Sequence, residues 1–128
     1  MNKILLLSLL ACCAGCLAPK TAGVSVERGH LIVEDRAFSS RIELVEDKTK
    51  MVGFGNGFLK TQVTLRNRDR RDFTCQYRFT WKDADGMTLK SAETVWNPLP
   101  LHGREEAVLE AVCPVPGAAD FRLVVRPE

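Results

Sequence analysis

Histidine is nearly missing from this 128-residue chain: only His30 and His102 are present. Both lie in or beside turn-like stretches with no ligand partner at useful spacing. The two cysteines of the domain itself, Cys75 and Cys113, form no Cys-x-x-Cys pair, so neither a metal nor a cofactor is expected. Nucleophilic catalysis lacks its parts as well. No Ser or Cys sits in a recognisable elbow, and neither His is tied by spacing to a base and an orienting group. No apolar run reaches the roughly twenty residues that a membrane-spanning helix needs. Charge of one sign is lacking too. Eighteen Lys and Arg stand against sixteen Asp and Glu, and removing residues 1–15 takes away one lysine. A near-neutral chain without a concentrated basic surface argues against nucleic acid as a partner.

What the chain does have begins at its N-terminus. Lys3 precedes the apolar run Ile4 to Leu10, and small residues follow, the pattern of a bacterial export signal. Ala11-Cys12-Cys13-Ala14-Gly15-Cys16 resembles a lipobox, in which small residues lead to a cysteine that is acylated and becomes the new N-terminus. Cys16 is the expected lipidation site. Cys12, with Leu9 three residues before it, is the alternative, and a soluble secreted protein is the third. Leu17 follows Cys16 where retained lipoproteins carry Asp, and by that resemblance the chain is expected at the outer membrane, facing the periplasm. Residues 1–15 then form the signal peptide, 16–23 an acylated tether, and 24–128 one domain, a length that suits a single core.

From Val24 onward short extended segments alternate with turn residues. Phe73, Cys75, Tyr77, Phe79 and Trp81 fall on one face at a period of two, while Thr74, Gln76, Arg78, Thr80 and Lys82 fall on the other. That is the pattern of an amphipathic strand. Further strands are expected at His30 to Glu34, Ser40 to Val45, Thr61 to Arg66, Glu93 to Trp96, Glu105 to Cys113 and Phe121 to Arg126. In the Glu105 to Cys113 segment Ala107, Leu109, Ala111 and Cys113 are expected to face the core. Pro98 and Pro100 confine their stretch to an edge or a loop. No helix-period segment of useful length follows the leader. Closely spaced strands with turn punctuation imply an all-β sandwich or barrel.

Two tempting motifs fail on their neighbours. The glycines at 53, 55 and 57 precede Lys60-Thr61, but Leu59 stands where a phosphate loop needs glycine, and a strand follows where it needs a helix. They suit a bulge or tight hairpin connection. Asp83-x-Asp85-Gly86 hints at calcium, yet the twelfth position of such a loop is Thr94 where a glutamate is required. It suits a hairpin loop, in which Asp bonds its own backbone and Gly86 takes positive φ. Cys75 and Cys113 both fall on apolar faces. An oxidising compartment favours a disulfide between them, and two inert buried thiols in separate parts of the core are the alternative. Trp96 is expected in the core, with an exposed recognition role as the minority option.

Gln62-Val63-Thr64-Leu65-Arg66-Asn67, Tyr77-Arg78-Phe79-x-Trp81-x-Asp83-x-x-Gly86, Trp96, Leu99, Gly103 and Phe121-Arg122-Leu123-x-Val125-Arg126 together resemble the YcfL-like family of small bacterial envelope lipoproteins. The resemblance covers Leu59 to Arg126 and implies an immunoglobulin-like antiparallel β-sandwich. It implies no active-site residue, since the family's role is unassigned. The expected function is that of a non-enzymatic, lipid-anchored domain that binds or scaffolds another envelope protein. A glycan or small-molecule binding module built on Trp96 is the alternative. An envelope enzyme comes third, and it would require a cleft joining His30 or His102 to acidic groups distant in sequence.

Overall fold

The computed structural model describes residues 22–128. Its strands are β1 (Ala22–Arg28), β2 (Leu31–Asp35), β3 (Ile42–Leu44), β4 (Lys50–Gly53), β5 (Leu59–Asn67), β6 (Phe73–Lys82), β7 (Asn97–Leu101), β8 (Glu106–Val112) and β9 (Asp120–Pro127). One sheet has the order β1-β2-β9-β6-β7. In the other, β5 is central, with β8 along one flank and β3 and β4 sharing the opposite flank end to end. The sheets face each other as an all-β sandwich. Leu31, Val33, Cys75, Phe79, Trp81, Phe121, Leu123 and Val125 from the first sheet meet Ile42, Leu44, Val63, Leu65 and Leu109 from the second in one core.

Alternation explains these faces. In β6 the residues Cys75, Phe79 and Trp81 are buried, and Phe73 and Tyr77 are half-buried against the same core. Trp81 pairs with Phe121 and Phe79 with Leu123 across the β6–β9 ladder, so large side chains cluster at the centre of the sheet. Burying each such side chain stabilises the fold by about 1.5–3 kcal/mol relative to exposure. In β8 Leu109 is buried, Ala107 and Ala111 pack against the core, and Val108 and Glu110 face water, as the pattern requires. The hairpin connection between β4 and β5 closes with Gly57 at φ 87°, its N–H donating to the Phe54 carbonyl. Asp83 Oδ1 accepts from the N–H groups of Asp85 and Met87, and Gly86 sits at φ 82°.

Two features of the topology depart from the sequence reading. The sandwich is not wholly antiparallel, because β2 and β9 run parallel. The chain leaves β2 through a single helical turn, α1 (Arg36–Ser39), crosses to the second sheet, and re-enters beside β2 only as its last strand. That turn is capped by Asp35, whose carboxylate accepts from the Phe38 N–H at 3.0 Å. The strand expected at Glu93 to Trp96 lies instead at Asn97–Leu101, through both prolines. Because β7 is an edge strand, the missing Pro98 and Pro100 donors fall on its open side.

Candidate interaction surface

The outer face of the β4–β5–β8 sheet is built from the residues that alternation turns away from the core. Register places Val52, Lys60 and Val112 in one row, Lys50, Gln62 and Glu110 in the next, then Thr64 with Val108, and Glu43, Arg66 and Glu106 at the far end. Val108 is 57 % exposed, Val52 52 % and Val112 49 %, and Phe54 continues the apolar stretch past β4. Lys50, Val52, Phe54, Lys60 and Gln62 line a shallow hollow of about 250 Å³.

The charged end of this face is cross-linked. Arg66 Nε donates to Glu106 Oε2 at 2.8 Å, its Nη2 reaches the same oxygen, and its Nη1 reaches Glu43 at 3.1 Å. Lys48 Nζ adds a 3.0 Å contact to the other Glu106 oxygen. The hydrogen bonds from Arg66, helped by Lys48, hold the Glu106 carboxyl below its ordinary value.

A second cluster lies where the two sheets meet at one end. His30, in the turn between β1 and β2, places Nδ1 3.2 Å from Glu46 and Nε2 3.1 Å from Asp120, and its ring stacks on Phe121 at 4.6 Å. Arg122 bonds Asp120 at 2.8 Å and Glu27 at 2.9 Å. A groove of about 480 Å³ runs past His30, Leu44, Glu46 and Arg68. His30 is thus joined to acidic groups 16 and 90 residues away, the condition set for an enzyme. Each ring nitrogen lies beside a carboxylate, which fixes the ring between the two sheets. Glycine suits position 29 because φ is 59°, a left-handed conformation that side chains disfavour, and an added Cβ would also displace the Glu46 carboxylate.

At the opposite end Asn67 is fully buried and organises the loops around it. Its Nδ2 donates to the carbonyls of Arg71 (2.8 Å) and His102 (2.9 Å), and its Oδ1 accepts from Asp69 N–H (2.8 Å). Asp69 in turn accepts from the Arg71 backbone, and that bond, with the Arg71 side chain, lowers its pKa to about 2. Asp72 Oδ1 accepts from the Gly103 N–H at 2.8 Å, and His102 lies 3.4 Å from the same carboxylate. Asn67 closes the Gln62–Asn67 stretch of the family resemblance, but nothing in that stretch shows its role. Its signal is a polar residue at the inward position that ends the β5 alternation.

The structure places the remaining expected residues as follows. Cys16 and Cys12 lie outside the described residues. Cys75 and Cys113 are both buried and both free thiols, which corrects the expected disulfide. Cys113 lies beside Leu59, the first residue of β5, whereas Cys75 lies two residues from Phe73, whose partner Leu101 sits at the Asn67 end of β5. The thiols are near opposite ends of the sandwich, on the order of 20 Å apart at the rise of a strand. That is well beyond bonding reach. Burial raises the Cys75 thiol to about 11.

Trp96 is not in the core. It packs half-buried on the outer face of the β1-β2-β9-β6-β7 sheet, with the guanidinium carbons of Arg126 and Arg78 at 4.0 and 4.6 Å from a ring centroid. Both guanidiniums lie at cation–π distance from the ring. Among the described residues, no group of three or more His, Cys, Asp or Glu is placed to hold a metal, and no helix is long and apolar enough to cross a membrane.

A β-sandwich with one apolar, charge-bordered sheet face defines a small all-β module. The chain belongs to the DUF1425 family of proteins of unknown function, whose model matches residues 29–127. It is similar to a crystal structure of a DUF1425 family member from Shewanella sp. pv-4, at 25 % identity and TM-score 0.58, covering 90 % of this chain and 97 % of that one. Its fold is also similar to that of Campylobacter jejuni cj0090, at 20 % identity and TM-score 0.61, covering 79 % of this chain and 100 % of that one. No curated protein matches the chain.

Proposed function

We propose that the protein is a lipid-anchored, non-enzymatic binding module of the bacterial envelope. Cys16 would hold it on the periplasmic side of the outer membrane, and the outer face of the β4–β5–β8 sheet would receive another envelope protein. The observation that carries this reading is the exposed apolar set Val52, Phe54, Val108 and Val112 on one sheet face. Apolar side chains gathered on a surface and rimmed by charges are a feature of protein contacts. The resemblance to YcfL-like lipoproteins and the lipobox-like leader support the location.

A photo-crosslinking side chain at Val52 in membranes is expected to give one discrete protein adduct that is lost in Val108→Glu. The same probe at Thr80, on the outer face of the other sheet, is expected to give none. Equal labelling from both positions would end the proposal. Cys16→Ser is expected to abolish incorporation of a fatty-acid probe and release the domain from membranes. Continued labelling of that variant would move the anchor to Cys12.

A further inference from the structure

Three of the open strand edges among the described residues are blunted. On β7, Pro98 and Pro100 offer no N–H. On β1 the register shifts between Ala22 and Val26, and β3 and β4 are pieces of three and four residues. Each is a recognised way of discouraging edge pairing. The fourth edge differs. β8 is seven residues long and proline-free, it pairs regularly with β5 from Glu106 to Val112, and no described strand lies on its other side.

The ladder fixes which groups face that open side. Asn67 N–H donates to the Glu105 carbonyl and Cys113 N–H to the Leu59 carbonyl. Odd-numbered residues of β8 therefore bond β5, and the N–H and C=O groups of Glu106, Val108, Glu110 and Val112 point outward.

We propose that β8 pairs antiparallel with β8 of a second copy of this chain, with Leu109 opposite Leu109 across a two-fold axis. The inward residues Ala107, Leu109 and Ala111 read the same in both directions, so this register continues the core face without a step. On the outer face it sets Glu106 opposite Val112 and Val108 opposite Glu110. A slide of two residues either way would set glutamate against glutamate, which is destabilising. The acidic side chains also arrive partly neutralised, Glu106 by Arg66 and Lys48 and Glu110 by Lys60 at 4.0 Å. A regular ladder in this register makes about eight hydrogen bonds. It also brings Val108 and Val112 of both copies onto one continuous outer face. The pairing does not depend on any heterologous partner.

The test uses the full mature chain in detergent. Sedimentation is expected to show a dimer that becomes a monomer in Val108→Pro, which deletes only an outward N–H and is expected to keep the native circular dichroism spectrum and melting temperature. Ala107→Pro, which deletes a donor to β5, is expected to lower the melting temperature instead. Should Val108→Pro fail to fold, register is read by thiol crosslinking. A mixture of Val108→Cys and Glu110→Cys chains is expected to form interchain disulfide several-fold faster than either alone. A wild-type chain that stays monomeric at its highest soluble concentration would overturn the proposal. So would a dimer that persists in folded Val108→Pro, or equal crosslinking in the mixture and the separate chains.

Discussion

Burial sets the chemistry of Cys75. With its thiol raised to about 11, almost no thiolate exists near neutral pH to react with a maleimide or a disulfide. In the native protein Cys75 is expected to label at least tenfold more slowly than after unfolding, and reduction is expected to leave the intact mass of the mature chain unchanged. Fast native labelling of Cys75 would place it at the surface. Asp69 gives a pH prediction with a definite sign. Its pKa falls from 3.8 to about 2 in the folded state, so its contribution to stability is complete above about pH 4 and is lost as pH falls through 2. Asp69→Asn should therefore flatten the loss of melting temperature between about pH 4 and pH 2. Identical acid limbs in the two proteins would assign that loss to other carboxylates. Neither residue's role was legible in sequence. Alternation places Cys75 and Cys113 inward but is blind to which end of the sandwich each occupies, and Trp96 looks like a core residue until Arg78 and Arg126 are seen beneath it. What the sequence did mark correctly were turns with their own chemistry, Asp83 and Gly86 above all, because there the reason for the conformation is local.

The elements read most easily were those whose two faces differ. β5, β6, β8 and β9 alternate clearly in sequence, since each turns one face to the core, and their inward residues are buried or packed against it, although Thr64 and Val124 on the outward faces are covered too. β4 was hidden because all four of its residues are exposed, so no alternation marks it. β7 was displaced because prolines weigh against strand except on an edge, and edge position is a property of the assembled sheet. The parallel β2–β9 pair follows from the order in which the chain visits the two sheets, which local pattern does not encode. β6 carries the largest packing commitment. Phe79 is 3 % exposed and has Tyr77, Trp81 and Phe121 as ring neighbours at about 6 Å. Phe79→Ala is expected to destabilise the protein by about 3–5 kcal/mol in urea unfolding. A loss below about 1 kcal/mol would contradict the burial of that face.

At the scale of the molecule, the two sheets are joined by a shared core and, at one end, by His30. Glu46 belongs to the turn between β3 and β4 in one sheet, and Asp120 begins β9 in the other, so the imidazole links both through side-chain contacts and through its stack on Phe121. All three polar groups are partly exposed, which limits what these contacts add. The stack and the ring's contacts to the two carboxylates together set the scale of His30→Ala at about 1–3 kcal/mol. Because the core would be untouched, the variant should still unfold in a single transition with an unchanged urea m-value. Hydrogen exchange should quicken chiefly in the Glu46–Lys48 turn and at the start of β9, where the clamp is released. His30→Phe keeps a ring to stack on Phe121 while losing the polar contacts to Glu46 and Asp120, and it is expected to fall between the wild type and His30→Ala. A His30→Ala variant that matched the wild type in stability and exchange would show that the core alone holds this end of the sandwich together.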